Sequence, residues 1–228
     1  MKPTPILTLR LLDTELRAHP TARKKVLLTA KDFARTHESK FKKKGLDIDL
    51  FHNDQVTYSS MQLGSYKGKM EWTAIGKKPV KALKLWYKLF QKESKIPLQN
   101  TIEIKEKYTP SFLDYRQKYQ ISPWLISDGV AKELNKIEDK FDRYDRLEKY
   151  LYGNIQIFFE HIGFEHDKDV HFLKINIEDA YKFSKALPVY HGNKKSAFRV
   201  SFTCNFWLPQ TLRLGQATAL GYGRTTHG

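Results

Sequence analysis

The fold is decided by the stretch QVTYSSMQLGSYKGKMEWTAIGKKPVKALKLWYKLF, Gln55 to Phe90. Gln55–Leu63 and Lys69–Ile75 are rich in β-formers. GSYKG, Gly64–Gly68, supplies the turn between them, so the pair reads as a hairpin. From residue 78 the period changes. Val80, Leu83, Leu85, Trp86, Leu89 and Phe90 recur at helical spacing through residue 92, with lysines between them. A hairpin running into an amphipathic helix is the middle of a split βαβ unit.

The flanking residues complete that unit. Upstream, PILTLRLL (Pro5–Leu12) predicts a first strand. Thr21 to about Phe41 predicts a basic amphipathic helix carried by Val26, Leu27, Ala30, Phe33 and Ala34 and stopped by the KKKG run at Lys42–Gly45. A short strand is expected at Ile48–Phe51, and another at Asn100–Tyr108. Apart from the short strand at Ile48–Phe51, the order β, α, β, β, α, β is the ferredoxin-like arrangement.

The second half carries a helical region at about residues 128–162, with Leu134, Ile137, Phe141, Leu147, Leu151 and Ile155 on one face. Extended stretches follow at Val170–Ile177 and Ala197–Leu208. The expected class is α+β: two ferredoxin-like (βαββαβ) domains in tandem, residues 1–110 and 111–228, the second distorted and ending in a glycine-rich loop.

Charge points to a polyanion. The 228 residues hold 40 Lys and Arg against 25 Asp and Glu, a formal charge of +15, the footprint of a nucleic-acid partner. Tyrosine and the other aromatics add flat surfaces for base stacking, although most such rings serve as core. No apolar run approaches the ~20 residues that cross a bilayer, and no signal peptide is read at the start. A single cysteine, Cys204, excludes an intramolecular disulfide and a multi-cysteine zinc site. These features predict a cytoplasmic protein with no membrane partner.

Near the C-terminus, FRVSFTCNFWLPQTLRLGQATALGYGRTT (Phe198–Thr226) places a strand before a loop with Gly215, Gly221 and Gly223, flanked by Arg213 and Arg224. Glycines let backbone N–H groups approach phosphate without a Cβ between them. A purely structural loop is the alternative.

As a whole string, LPxxxxLGxxxxLGYG resembles the signature loop of CRISPR repeat-processing endoribonucleases of the RAMP superfamily. Three further segments resemble that family: LYGNIQIF (Leu151–Phe158), SPWL (Ser122–Leu125), and LFHN (Leu50–Asn53) followed by Tyr58 and Gln62. Two positions depart from it, Asp54 where a second histidine is frequent and Gln216 where a lysine is usual. The resemblance implies a metal-independent endoribonuclease with no cofactor. It would cut repeat transcripts into guide RNAs by 2′-hydroxyl attack, leaving 2′,3′-cyclic phosphate and 5′-hydroxyl ends. Asp54 keeps a second reading open, a non-catalytic guide-RNA-binding subunit of an interference complex. The implied partners are pre-crRNA and mature guide RNA, interference-complex subunits, and a second copy of the chain as a homodimer.

Such chemistry needs a proton acceptor, a proton donor and a cation beside the phosphate, and histidine serves the first two near neutrality. His52 and His37 are the catalytic candidates, against a surface or capping role for each. Tyr58 could add a hydroxyl, against packing on the sheet. The RNA-binding candidates are Lys40, Lys42, Lys43, Lys44, Lys194, Lys195, Arg213, Gly215, Gln216, Gly221, Gly223 and Arg224. His161, His166 and His171 sit at metal-ligand spacing, but Gly163 interrupts any helix that would align them, so no metal site is expected. His227, next to the last residue, is expected to be loosely held.

Overall fold

The computed structural model describes residues 2–15, 20–51, 58–93, 100–165, 172–185, 187–190 and 193–228. The chain divides into two compact units, residues 2–108 and 109–228.

The first unit runs β1 (Thr4–Glu15), α1 (Pro20–Thr36), α2 (Glu38–Lys42), a 3-10 turn (Ile48–Leu50), β2 (Met61–Tyr66), β3 (Lys69–Ile75), α3 (Lys77–Glu93) and β4 (Thr101–Tyr108). The sheet order is β2-β3-β1-β4, with every pairing antiparallel. That is the ferredoxin-like order. Leu7, Leu9, Leu11, Leu63, Trp72 and Ala74 are buried, and α3 packs on β1 and β3. Trp86 of α3 stacks between Trp72 and Phe90, at 5.0 and 4.8 Å. Its indole N–H donates to the Ala30 carbonyl at 3.1 Å, which ties α3 to α1.

Three local expectations change. Ile48–Phe51 is no strand: the Asp47 side chain accepts from the Asp49 N–H at 2.8 Å and turns the backbone into a 3-10 helix. Phe51 is then buried against Phe41 and Trp72, each 5.9 Å away. Strand β2 starts at Met61, and the expected start at Gln55 lies outside the described residues. The hairpin turn narrows to Lys67–Gly68, because Gly64, Ser65 and Tyr66 already pair with Glu71, Met70 and Lys69.

The second unit runs β5 (Phe112–Leu125), α4 (Asp128–Leu134), α5 (Lys140–Ile162), β6 (Ile175–Lys182), β7 (Leu187–Tyr190), β8 (Asn193–Lys195), β9 (Ala197–Phe206), a 3-10 turn (Thr218–Leu220) and β10 (Arg224–His227). Its main sheet is ordered β10-β5-β9-β6, the first unit's order repeated. Two connections differ: β7 and β8 pair with each other between β6 and β9, where the first unit has a tight turn, and from β9 to β10, where the first unit has α3, this unit has residues 207–223 and only one 3-10 turn. These are the distortions of the second copy. Leu147, Leu151, Ile155, Phe158 and Phe159 of α5 are buried, and Phe159 meets Phe206 of β9 at 4.5 Å.

The helical region at 128–162 is two helices. Asp139 accepts from the Phe141 and Asp142 N–H groups at 2.7 and 3.0 Å, a cap that starts α5 afresh. His227 is not loose. It lies in β10, its Nε2 donates to the Leu208 carbonyl at 3.0 Å, and its ring meets Tyr119 and Trp207 edge-on.

Candidate functional site

In the first unit, helix α1 ends at Thr36 and α2 starts at Glu38, so His37 sits in the break between them. Its ring packs edge-on against Phe33 at 4.8 Å. Nε2 is 2.9 Å from Glu93 Oε2 at the end of α3, and Nδ1 is 3.4 Å from Lys40 Nζ. Lys40 also lies 4.0 Å from Glu93 Oε1. A carboxylate at Nε2 holds the proton on that nitrogen, which presents the Nδ1 lone pair toward the Lys40 ammonium. The cluster therefore combines an oriented imidazole, a carboxylate that orients it and a cation. These are the parts general acid–base chemistry on a phosphodiester needs.

Lys42 differs from its neighbours. Its ammonium hydrogen-bonds Glu38 at 2.8 Å, and that bond raises its pKa above the ordinary lysine value. Lys43 and Lys44 are exposed, and among the described residues neither forms an ion pair. Tyr58 is buried just before β2, which fits the packing reading of this tyrosine. His52 and Asp54 lie outside the described residues.

In the second unit, three of the sequence segments meet at one tryptophan. Trp124 of the SPWL segment is fully buried, and its indole N–H donates to Asn154 Oδ1 of the LYGNI segment at 3.2 Å. Asn154 Nδ2 returns to the Tyr150 carbonyl at 2.9 Å. Gly215, at φ +91°, lies against the same indole, where an added Cβ would fall 2.6 Å from Trp124 Cδ1. The loop backbone is fastened to the same strand end: Gln216 N–H donates to Leu125 O at 3.2 Å and Gly223 N–H to Pro123 O at 2.7 Å.

This corrects the expectation for the glycines. The Gly223 amide is spent on Pro123 and the Gly221 amide on Thr218 at 2.9 Å, so neither is open to a phosphate. Gly215 and Gly223 serve close approach within the protein. Arg213 is corrected too: it is 1% exposed, it donates to the Thr211 carbonyl at 3.4 Å, and it pairs with Arg224 through the backbone. It is an interior group of the loop. Gln216 and Arg224 remain half-exposed on the loop's outer side.

Lys194 is exposed on β8, whereas Lys195 is held by Asp128 at the start of α4. The lone thiol of Cys204 is fully buried, and burial pushes its pKa up to about 12. It is therefore not a nucleophile. His161 is exposed near the end of α5, while His166 and His171 lie outside the described residues. No helix among the described residues is long and apolar enough to cross a membrane.

Glu93 was not legible in the sequence: it lies 56 residues from His37 in a lysine-rich helix end, with no local signal of its partner. The Trp124–Asn154–Gly215 junction could be found only as three separate strings.

Comparison with known proteins bears on both units. The family model of the Cas6b C-terminal domain matches residues 111–227, more than half of the chain. Among solved structures, a crystal structure of Cas6b is 20% identical, with a TM-score of 0.73 over 99% of either chain. A crystal structure of the CRISPR RNA processing endoribonuclease Cas6b is 19% identical, with a TM-score of 0.69 over 99% of either chain. Csf5, a type IV CRISPR-Cas Cas6 crRNA endonuclease, is 11% identical, with a TM-score of 0.61 over 99% of either chain. At these identities the likeness is one of fold, two ferredoxin-like domains in tandem. No curated protein matches the sequence. The match over residues 111–227 spans β5, α4, α5, the sheet and the whole glycine-rich loop, and the chain belongs to the Cas6b family.

Proposed function

We propose that this chain is an endoribonuclease that binds CRISPR repeat transcripts and cuts them into guide RNAs without a metal. The family match over residues 111–227 carries this reading. The His37–Lys40–Glu93 cluster supplies chemistry suited to it.

In the proposed reaction the 2′-hydroxyl attacks the adjacent phosphorus. A bond forms from O2′ to phosphorus, the bond to the 5′ oxygen breaks, and the products carry a 2′,3′-cyclic phosphate and a 5′-hydroxyl. The O2′ proton goes to a base and the departing oxygen takes a proton from an acid, and His37 and His52 fill these roles. Glu93 orients His37, while Lys40 offsets the charge that builds on the phosphoryl oxygens. Lys43, Lys44, Lys194, Gln216 and Arg224 contact the RNA backbone.

The test is incubation of the purified protein with labelled cognate repeat RNA in EDTA, comparing wild type with His37→Ala and His52→Ala. Cleavage at one position, slowed about a hundred- to ten-thousandfold by either change, is the expected result for a positioned acid or base. Tight binding with no cut in the wild type would replace this reading with that of a guide-RNA-binding subunit.

A further inference from the structure

A pocket of about 380 Å³ opens in the second unit where the end of α4 and the first turns of α5 meet strands β6 and β9. Its floor is apolar, made by the buried side chains of Leu134, Leu147 and Phe198. Its rim carries Lys140, Arg143 and Lys182, and among the described residues no carboxylate lines it.

These three cations are held by neutral groups. Lys182 Nζ donates to Asn135 Oδ1 at 2.9 Å. Arg143 donates from Nε to the Ile137 carbonyl at 2.7 Å and from Nη2 to the Glu138 carbonyl at 2.8 Å, which fixes its guanidinium plane. Lys140 Nζ stands 5.2 Å from the centre of the Tyr144 ring. Elsewhere in the chain Lys31, Lys42, Lys105, Lys118, Arg146 and Lys195 sit against carboxylates. Positive charge that is positioned but not neutralised is charge directed at an anion. Tyr144 is itself fixed, its hydroxyl 3.3 Å from Asp179 Oδ1 and accepting from the Ala180 N–H at 3.2 Å.

An apolar floor, a fixed aromatic ring and three uncompensated cations ask for a ligand that is flat and apolar on one side and anionic on the other. The volume lies within the range of small-ligand sites. We propose that this pocket takes one unpaired nucleotide of an RNA chain. Its base lies against Tyr144, Leu147 and Phe198, and its phosphate lies on Lys140, Arg143 and Lys182. The inference rests on the reading of the chain as a repeat-RNA binder and adds to it a second contact, one that grips a splayed base.

The first test uses the full chain and adenosine 5′-monophosphate, followed by amide chemical shifts, with inorganic phosphate as the comparison. The expected result is saturable shifts at Leu134, Tyr144, Ala180 and Lys182 that phosphate alone does not reproduce at the same concentration, and that are lost in Lys140→Gln/Lys182→Gln. Both changes lie on exposed side chains, and a thermal melt checks that the variant is folded. On repeat RNA the same variant is expected to bind about tenfold more weakly, with a salt dependence shallower by up to about 0.7 in the log–log slope, the value for one single-stranded phosphate. Its cleavage rate at saturating RNA should stay unchanged.

Absence of localised shifts with the nucleotide overturns the proposal, as does equal affinity for phosphate and nucleotide, or an unaltered RNA affinity and slope. If the wild type leaves repeat RNA uncut while the nucleotide still fills the pocket, the pocket stands and the repeat-processing reading falls.

Discussion

At Gly223 the backbone holds φ +72°, and an added Cβ would lie 1.7 Å from the Leu214 carbonyl oxygen, which is backbone and cannot swing away. Gly223→Ala therefore combines left-handed strain with a steric conflict, and should destabilise the second unit by about 2–4 kcal/mol. Gly153 behaves oppositely. It lies in the middle of α5 with nothing within 4 Å of its ideal Cβ position, so Gly153→Ala should stabilise by about 0.5–1 kcal/mol through helix propensity alone. Urea midpoints at constant m decide both, and two changes of the same sign would refute the account. The same scale governs His37. Glu93→Gln keeps the size of the partner but removes the charge that holds the proton on Nε2. Single-turnover cleavage is expected to slow about tenfold or more, within what a positioned acid or base contributes, with RNA affinity unmoved. An equal loss in affinity would mean that Glu93 only props up the helix end.

Among the elements, α2 and the turn after it carry four exposed lysines within residues 40–44, and these lysines are unequal. Lys42 is engaged by Glu38, so a phosphate must compete for it, whereas Lys43 and Lys44 have no carboxylate partner among the described residues. Lys43→Ala/Lys44→Ala should flatten the log–log salt dependence of repeat binding by about 1.4, and Lys42→Ala by clearly less than half of that; titrations at several salt concentrations separate the two. Elements with one strong period were legible in the sequence. The lysine-spaced apolar face of α3 and the β-rich run of β1 are found at their expected places. Strand β5 was legible only as the SPWL string at its end, because its earlier residues, LDYRQKYQ, are mostly polar and carry no run of β-branched residues. Tyr119 and Ile121 are nonetheless the inward residues that decide its register. The turn at Ile48 misled for a different reason: its apolar residues fit a strand, but the Asp47 side chain captures the Asp49 amide and curls the chain first.

For the molecule as a whole, the tandem order was readable because the first unit spells out all six elements, while the second replaces one helix with a loop that has no periodicity. Only the glycine string marked that loop. What its sequence concealed is that the glycines serve packing against Trp124 and Leu214, a fact of three-dimensional distance. Burial also raises three weak acids of the second unit, Cys204, Tyr119 and the half-buried Tyr150, and this makes alkaline pH the condition that should undo it. Burial raises Cys204 from 9.0 to about 12, and raises Tyr119 and Tyr150 above the ordinary 10.0. Each group keeps its proton in the folded state while the unfolded chain releases it, so the unfolded state binds fewer protons and stability falls as pH rises. Below pH 9 the contribution is fully present. Between about 9 and 10 Cys204 acts first, costing up to about 1.4 kcal/mol per pH unit, and above 10 the two tyrosines steepen the decline. Urea unfolding at pH 8, 9, 10 and 11 should trace that curve. Cys204→Ala should be less stable at pH 8, from the lost packing, yet nearly flat from 9 to 10. If the variant keeps the wild-type slope in that window, the buried thiol is not what titrates.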